Sequence, residues 1–234
     1  MIKTLIFDLD GTLFNTVKDM ANACNHALTV LNYPTRTIDE YYKFIGNGLT
    51  LLYKRSLPEE CKTPENLEKM KNEFTKYYGE HLLDNTLPYD GIRELFEAFG
   101  KENKKRKDNG FPEKELLKFA VLTNKPDDYA HTIVNTLLPN TFDIIYGSRE
   151  DHERKPSPKV IDIILKDLNR ENEPKESIVM IGDSNVDIFT AQNAKIHSIG
   201  CSWGFRGEEE LVNAGAEFIA HKPNEIYDII QKIN

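Results

Sequence analysis

The chain has 234 residues, of which 39% are apolar, 10% aromatic and 29% charged, and 38 acidic against 30 basic side chains leave a net charge of −8. That is enough apolar chain for a sizeable core and too much for a disordered polypeptide; no run approaches the ~20 apolar residues of a membrane span, and the acidic balance speaks against nucleic-acid binding through a basic surface. Three widely spaced cysteines, Cys24, Cys61 and Cys201, form no CxxC pair, which favours free thiols in a reducing cytoplasm over a disulfide framework or a zinc site.

The N-terminal residues MIKTLIFDLDGTLF meet acids after only a few apolar positions, so they do not read as a secretion signal. Within them Thr4–Leu9 is a short branched and aromatic run that ends in acids and Gly11. From Asn15 to Leu87 the pattern changes to helical periodicity, strongest over Asp19–Leu31 and Asn66–Leu83, with no convincing parallel strand. This stretch is read as a helical insertion after the first strand, with connectors near Phe14–Val17 and Asp84–Asp90 as hinges. It gives a core of residues 1–14 and 88–234 and an inserted unit of residues 15–87. Lys101–Glu115, charged and broken by Gly110 and Pro112, reads as a solvated loop that extends a helix. Beyond it, short apolar runs at Phe119–Leu122, Phe142–Tyr146, Ser177–Ile181 and Ile196–Ile199 alternate with helical patterns at Asp127–Leu138, Ser157–Leu168, Val186–Asn193 and Glu208–Ala214. Continuous apolar runs suit strands buried on both faces, and strands alternating with helices imply an α/β fold built on a doubly wound parallel sheet.

The chemistry gathers where these runs end. Asp8 and Asp10, two apart in an extended segment before Gly11 and Thr12, project to the same side, at the carboxyl end of a strand where open α/β sheets bind ligands. A turn or helix cap explains one of these acids but not both. After the Ser177–Ile181 run comes Gly182-Asp183-Ser184-Asn185-Val186-Asp187, with Asp187 about one helical turn beyond Asp183. Alone, that segment reads equally as a helix cap; beside the first acidic pair it makes an oxygen-rich nest suited to Mg²⁺. Thr123, Asn124 and Lys125 close another strand, where a hydroxyl and free backbone N–H groups can hold phosphate oxygens. Lys155, just before Pro156 and a helix, can supply a point charge for a phosphoryl group.

Taken in order, Asp8-Leu-Asp10-Gly-Thr, Thr123-Asn, Lys155-Pro and Gly182-Asp183-Ser-Asn-Val-Asp187 resemble the four motifs of the haloacid-dehalogenase-like hydrolase superfamily. The inserted unit resembles its small helical cap. Ile45-Gly46-Asn47-Gly48 with Leu51-Leu52, Thr123-Asn124-Lys125-Pro126 and Trp203-Gly204 are similar to the phosphoglycolate phosphatase branch, from which Asn15-Thr16 departs where an acid and a serine are common.

The resemblance implies that Asp8 is a nucleophile forming an aspartyl-phosphate and that Asp10 acts as general acid, then base. It assigns Mg²⁺ to Asp8, the main-chain carbonyl of Asp10, and Asp183. Thr123 and Asn124 would hold phosphoryl oxygens, Lys155 would balance their charge, and Asp187 would support Lys155 or a metal-bound water. Gly11, Thr12, Asn47 and Gly48 join Asn124 as substrate-binding candidates. The expected partner is a small phosphomonoester, with 2-phosphoglycolate the leading substrate, no nucleic acid or membrane, and a monomer or homodimer.

A sugar phosphomutase shares core and cap, and Asn47, Gly48 and Arg55 are the residues that would bear on the difference. Asp10 counts against a dehalogenase, and length and the insertion count against a phospho-receiver signalling module. Trp203 suits the cleft or the core equally. His26, His81, His131, His152, His197 and His221 show no ligand spacing, and the tyrosine pairs Tyr41-Tyr42 and Tyr77-Tyr78 read as packing residues of the insertion.

Overall fold

The computed structural model describes residues 1–149 and 153–234, so His152 lies outside the described residues. A six-stranded parallel sheet forms the centre, from β1 (Thr4–Phe7), β4 (Lys118–Pro126), β5 (Ile144–Ser148), β6 (Ile178–Gly182), β7 (His197–Cys201) and β8 (Phe218–Ala220), in the order β5-β4-β1-β6-β7-β8. The alternation along each central strand shows why the apolar runs are continuous. Leu5 and Phe7, Phe119 and Val121, and Val179 and Ile181 enter one apolar cluster, while Ile6, Ala120, Leu122, Ile178 and Met180 enter another on the opposite face.

Helices cover both faces. α7 (Lys159–Asp167) and α8 (Asn185–Ala194) follow β5 and β6, and α7 buries Val160, Ile161, Ile164 and Leu165 on the second face. α5 (Ile92–Asp108), α6 (Asp127–Leu137) and α10 (Pro223–Ile233) contribute to the first face, where Phe7, Phe96, Phe119 and Phe142 pack edge to face or tilted. α9 (Gly207–Asn213) lies between β7 and β8. Two features differ from the sequence expectation. Lys101–Asp108 is not a loop but the last two turns of α5, and Arg106 of its basic run is 4% exposed, donating to Glu102 and to the Glu115 carbonyl. Only residues 109–115 leave the helix, at the left-handed Gly110.

Between β1 and α5 lie α1 (Val17–Val30), α2 (Ile38–Phe44), α3 (Leu49–Ser56) and α4 (Pro64–His81). Thr37 caps α2 in a reciprocal arrangement with Glu40, and Thr63 caps α4 ahead of Pro64. Their apolar faces bury Tyr41, Tyr53, Met70, Phe74 and Tyr78, which are continuous with the first-face cluster of the sheet. The chain enters and leaves this helical unit side by side: β2 (Phe14–Asn15) pairs antiparallel with β3 (Leu87–Pro88).

Asp19 of α1 secures the return crossing. Its carboxylate, 1% exposed, accepts from the backbone N–H and side chain of both Asn85 and Thr86 at 2.7–2.9 Å. Asp19→Ala would leave four donors without this acceptor, at an expected cost of about 3 kcal/mol read as a lowered urea midpoint at constant slope.

Candidate functional site

Three adjacent central strands, β4, β1 and β6, deliver the acids and the Thr123–Lys125 segment to one end of the sheet. In the paired register Phe7 lies opposite Val121 and Ile181, and the Asp8 N–H still donates to the Ile181 carbonyl at 2.8 Å. Asp8 therefore emerges between β4 and β6, level with Leu122 and with Gly182 at the end of β6, one residue before Thr123 and Asp183 in register. Two close approaches make this crowding sterically possible. Gly11 has φ +84°, and a Cβ there would stand 2.3 Å from Asp183 Oδ2; a Cβ on Gly182 would stand 2.2 Å from Asp187 Cγ.

Lys155 sits among the acids, with its side chain 3% exposed. Its Nζ donates to Asp187 Oδ1 at 2.6 Å and lies 2.8 Å from Asp8 Oδ1, a charge contact without hydrogen-bond alignment. The other oxygen of Asp187 accepts from the Ser184 N–H (3.1 Å) and hydroxyl (2.7 Å) at the start of α8, so both sides of that carboxylate are held. Asp183 Oδ2 accepts the Phe205 N–H at 2.7 Å. One carboxylate oxygen each from Asp8, Asp183 and Asp187 lies within 4.8 Å of the others.

The electrostatics follow from three buried acids sharing one ammonium. Burial pushes Asp8 up to about 7 despite the opposing charge of Lys155, with Asp187 and Asp10 adding to the rise. Burial, then the charges of Asp8 and Asp187, hold Asp183 well above the usual carboxylate range. Burial alone would lower Lys155, but Asp187 and Asp8 hold it above its ordinary value. A hard divalent cation among the three carboxylates would offset the surplus negative charge and use the Asp8 oxygen that lacks an aligned donor, so the donor set fits such an ion.

Asp10 is held apart from that cluster. Its Oδ1 accepts from the Thr16 hydroxyl at 2.6 Å and from Lys125 Nζ at 3.0 Å, with the Lys125 side chain fully buried. The same ammonium lies 5.1 Å from the ring centre of Tyr78 on α4 and 3.7 Å from Met20 Sδ on α1. Lys125 and Thr16 were missed as partners of Asp10. Spacing offered a signal only for Lys125, two residues beyond Thr123 on the same strand and hence on the same face.

A narrow pocket with about 20 Å³ of free space opens over these groups, lined by Asp8, Asp10, Thr123, Asn124, Lys125 and Lys155 from below and by Met20, Ile45, Gly46, Gly48, Leu49 and Leu52 from the helical unit. Of the residues named from the sequence, Thr123, Asn124 and Gly48 line it. Asn47 does not line it: its Oδ1 accepts from Arg55 (2.9 Å) and Arg206 (3.0 Å). Thr12 is fully buried, and its carbonyl accepts from the Trp203 indole at 3.1 Å; Trp203 packs against the core rather than lining the pocket. The tyrosine pairs pack, with Tyr41 and Tyr78 buried, Tyr42 against Phe205 and Tyr77 between His26 and His81. All three cysteines are free, Cys24 and Cys201 of them buried.

Residues 5–201 match the family described as haloacid dehalogenase-like hydrolase. Over 230 residues the chain is 30% identical to the phosphoglycolate phosphatase of Colwellia psychrerythraea, covering 96% of this chain and 95% of that one. It is 28% identical to the phosphoglycolate phosphatase of Aquifex aeolicus, covering 98% and 97%. The crystal structure of a "predicted phosphoglycolate phosphatase" from Haemophilus somnus 129PT superposes with a TM-score of 0.85 at 27% identity, covering 98% of each chain.

The raised Asp8 has a consequence for stability without added cations. Burial lets its carboxyl keep a proton in the folded chain up to about pH 7, whereas the unfolded chain loses it near the ordinary value of 3.8, so the folded state binds more protons in between. Folding stability therefore falls as pH rises from about 4 to 7 on this account. In EDTA, wild type is expected to lose more thermal stability between pH 5.5 and 8 than Asp8→Asn; parallel melting curves across that range would contradict it.

Proposed function

The chain belongs to the haloacid dehalogenase-like hydrolase family, and we propose that it is a Mg²⁺-dependent phosphatase of small phosphomonoesters, 2-phosphoglycolate first among them. One observation carries this reading: Asp8 stands under the pocket with the Lys155 ammonium 2.8 Å from its Oδ1, in reach of both Asp183 and Asp187. A carboxylate so placed can serve as nucleophile toward a phosphorus held between Lys155 and the Thr123–Asn124 end of β4.

Asp8, Asp183 and Asp187 offer side-chain oxygens for Mg²⁺, and the main-chain carbonyl of Asp10 is the further ligand the family pattern assigns; bound there, the ion supplies electrophilic charge that offsets repulsion between nucleophile and phosphate. In the first step an Asp8 oxygen bonds to phosphorus while the ester oxygen departs with the bonding pair and takes a proton from Asp10. In the second step water attacks the aspartyl-phosphate, Asp10 takes up the water's proton, and the phosphorus–Asp8 bond breaks to release phosphate. Thr16 and Lys125 fix the Asp10 carboxyl for both transfers. Asp187 and Ser184 orient Lys155 toward the phosphoryl group.

Residues 15–87 act in this reading as a cap. They supply the pocket's apolar wall, Met20, Ile45, Leu49 and Leu52, which excludes water from the reacting centre. Those walls leave little free space over the acids, which favours a small leaving group. The names of the relatives support 2-phosphoglycolate among such esters. No helix of the described residues is long and apolar enough to cross a membrane, and the free thiols support a cytoplasmic setting.

A panel of phosphomonoesters with and without Mg²⁺, ranked by kcat/KM, tests the substrate. We expect 2-phosphoglycolate to lead and EDTA to abolish turnover; parity with a generic aryl phosphate would remove the substrate assignment, and sugar-phosphate isomers without free phosphate would indicate a mutase. Asp8→Asn, purified free of host phosphatases, is expected to lose a factor on the order of 10³ or more in kcat while keeping its fold by circular dichroism.

A further inference from the structure

The segment after β7 links two parts of the site that lie far apart in sequence. Trp203 donates its indole N–H to the Thr12 carbonyl, and Phe205 donates its backbone N–H to Asp183. Both contacts fix the segment to the sheet. The next residue, Arg206, reaches across to the helical unit. Its Nη1 donates to the Lys43 carbonyl at 2.9 Å, and its Nη2 to the Ile45 carbonyl at 2.7 Å and to Asn47 Oδ1 at 3.0 Å. Phe205 packs edge to face on Tyr42 of α2, with ring centres 5.6 Å apart.

The acceptors occupy the stretch from the end of α2 to the start of α3, and that stretch bears Ile45, Gly46 and Gly48, three lining residues of the pocket. A Cβ built on Gly46 would stand 3.6 Å from Arg206 Nη2, so the guanidinium backs directly onto the pocket wall. Arg55 also binds this stretch, through the Phe44 carbonyl and Asn47, but it belongs to α3 of the same helical unit. Arg206 comes from the other side of the interface. The planar fork of a guanidinium can satisfy three oxygens held at fixed positions, which a lysine ammonium on a flexible stem does not reproduce.

We propose that Arg206 is a positioning residue for substrate selection: it latches the 43–47 stretch of the helical unit against the sheet and so sets the wall that encloses a small substrate. A substrate that fits wholly inside the pocket depends on this wall to exclude water and to hold it in place. An aryl phosphate, whose ring must extend past or displace the wall, gains nothing from the latch. The selectivity part rests on the phosphatase reading above; the latch itself does not.

Arg206→Ala and Arg206→Lys, each with Mg²⁺, provide the test. Backbone hydrogen exchange should quicken by about tenfold or more over residues 44–49 in Arg206→Ala, while β1 and β6 keep wild-type protection. With 2-phosphoglycolate, KM should rise and kcat/KM should fall by about tenfold or more, since hydrogen bonds from a charged group are lost, whereas kcat/KM for p-nitrophenyl phosphate should change less than about threefold. Arg206→Lys should recover a minor part of the loss. Unchanged exchange over 44–49 would overturn the latch, as would faster exchange spread through the sheet. An equal loss on both substrates would overturn its role in selection. If wild type turns over neither ester, the phosphatase reading fails and hydrogen exchange alone decides the latch.

Discussion

Everything at this end of the sheet depends on one imbalance of charge. Asp8, Asp183 and Asp187 are buried within 4.8 Å of one another, and a single ammonium, that of Lys155, stands among them. Bringing like charges together out of water is unfavourable, and the fold sustains the arrangement only by closing it in from every side. Parallel pairing of β1 with β4 and β6 fixes the strand ends, Ser184 and Phe205 orient the carboxylates, and Gly11 and Gly182 remove the side-chain atoms that would keep them apart. The imbalance suits the proposed chemistry: a cation bound among these acids would offset the surplus negative charge and make room for a phosphate.

A second ion pair, Lys125 with Asp10, is built on different terms. One ammonium meets one carboxylate, with a hydroxyl, an aromatic face and a thioether completing the enclosure. The nucleophile candidate and the proton-carrier candidate are two residues apart in sequence and feel each other's charge, yet each is paired with its own lysine. Environments that differ this much allow two aspartates to take different tasks.

Much of the fold was legible because the central strands are apolar on both faces, so Leu5–Phe7, Phe119–Leu122 and Ile178–Ile181 announce themselves as unbroken runs. What escaped was either short or charged. β8 has three residues, too few for a pattern, and the tail of α5 hides its helix behind lysines, although Lys, Arg and Glu are good helix formers. At the site, acids clustered within five residues of each other could be read directly as Asp8 with Asp10 and Asp183 with Asp187. Lys125 facing Asp10 across 115 positions, and Arg206 facing the end of α2 across about 160, are contacts that only the folded chain creates. The placement of Asn47 shows the same limit: its sequence neighbourhood suggests a ligand contact, while a distant arginine claims its oxygen.

The two-residue ribbon of β2 and β3 has a consequence for how such a chain can diversify. Because Phe14 pairs with Pro88 and Asn15 with Leu87, the ends of the inserted segment are already tied together at the point of departure. The entropy of closing that excursion is spent locally, and adding or removing turns within it changes the cost only slowly with length. The sheet's register, set by β1, β4 and β6, does not depend on what the excursion contains. An exchange of the whole segment at this ribbon is thus the natural cut for building chimaeras, in which an unaltered catalytic floor inherits a differently shaped ceiling.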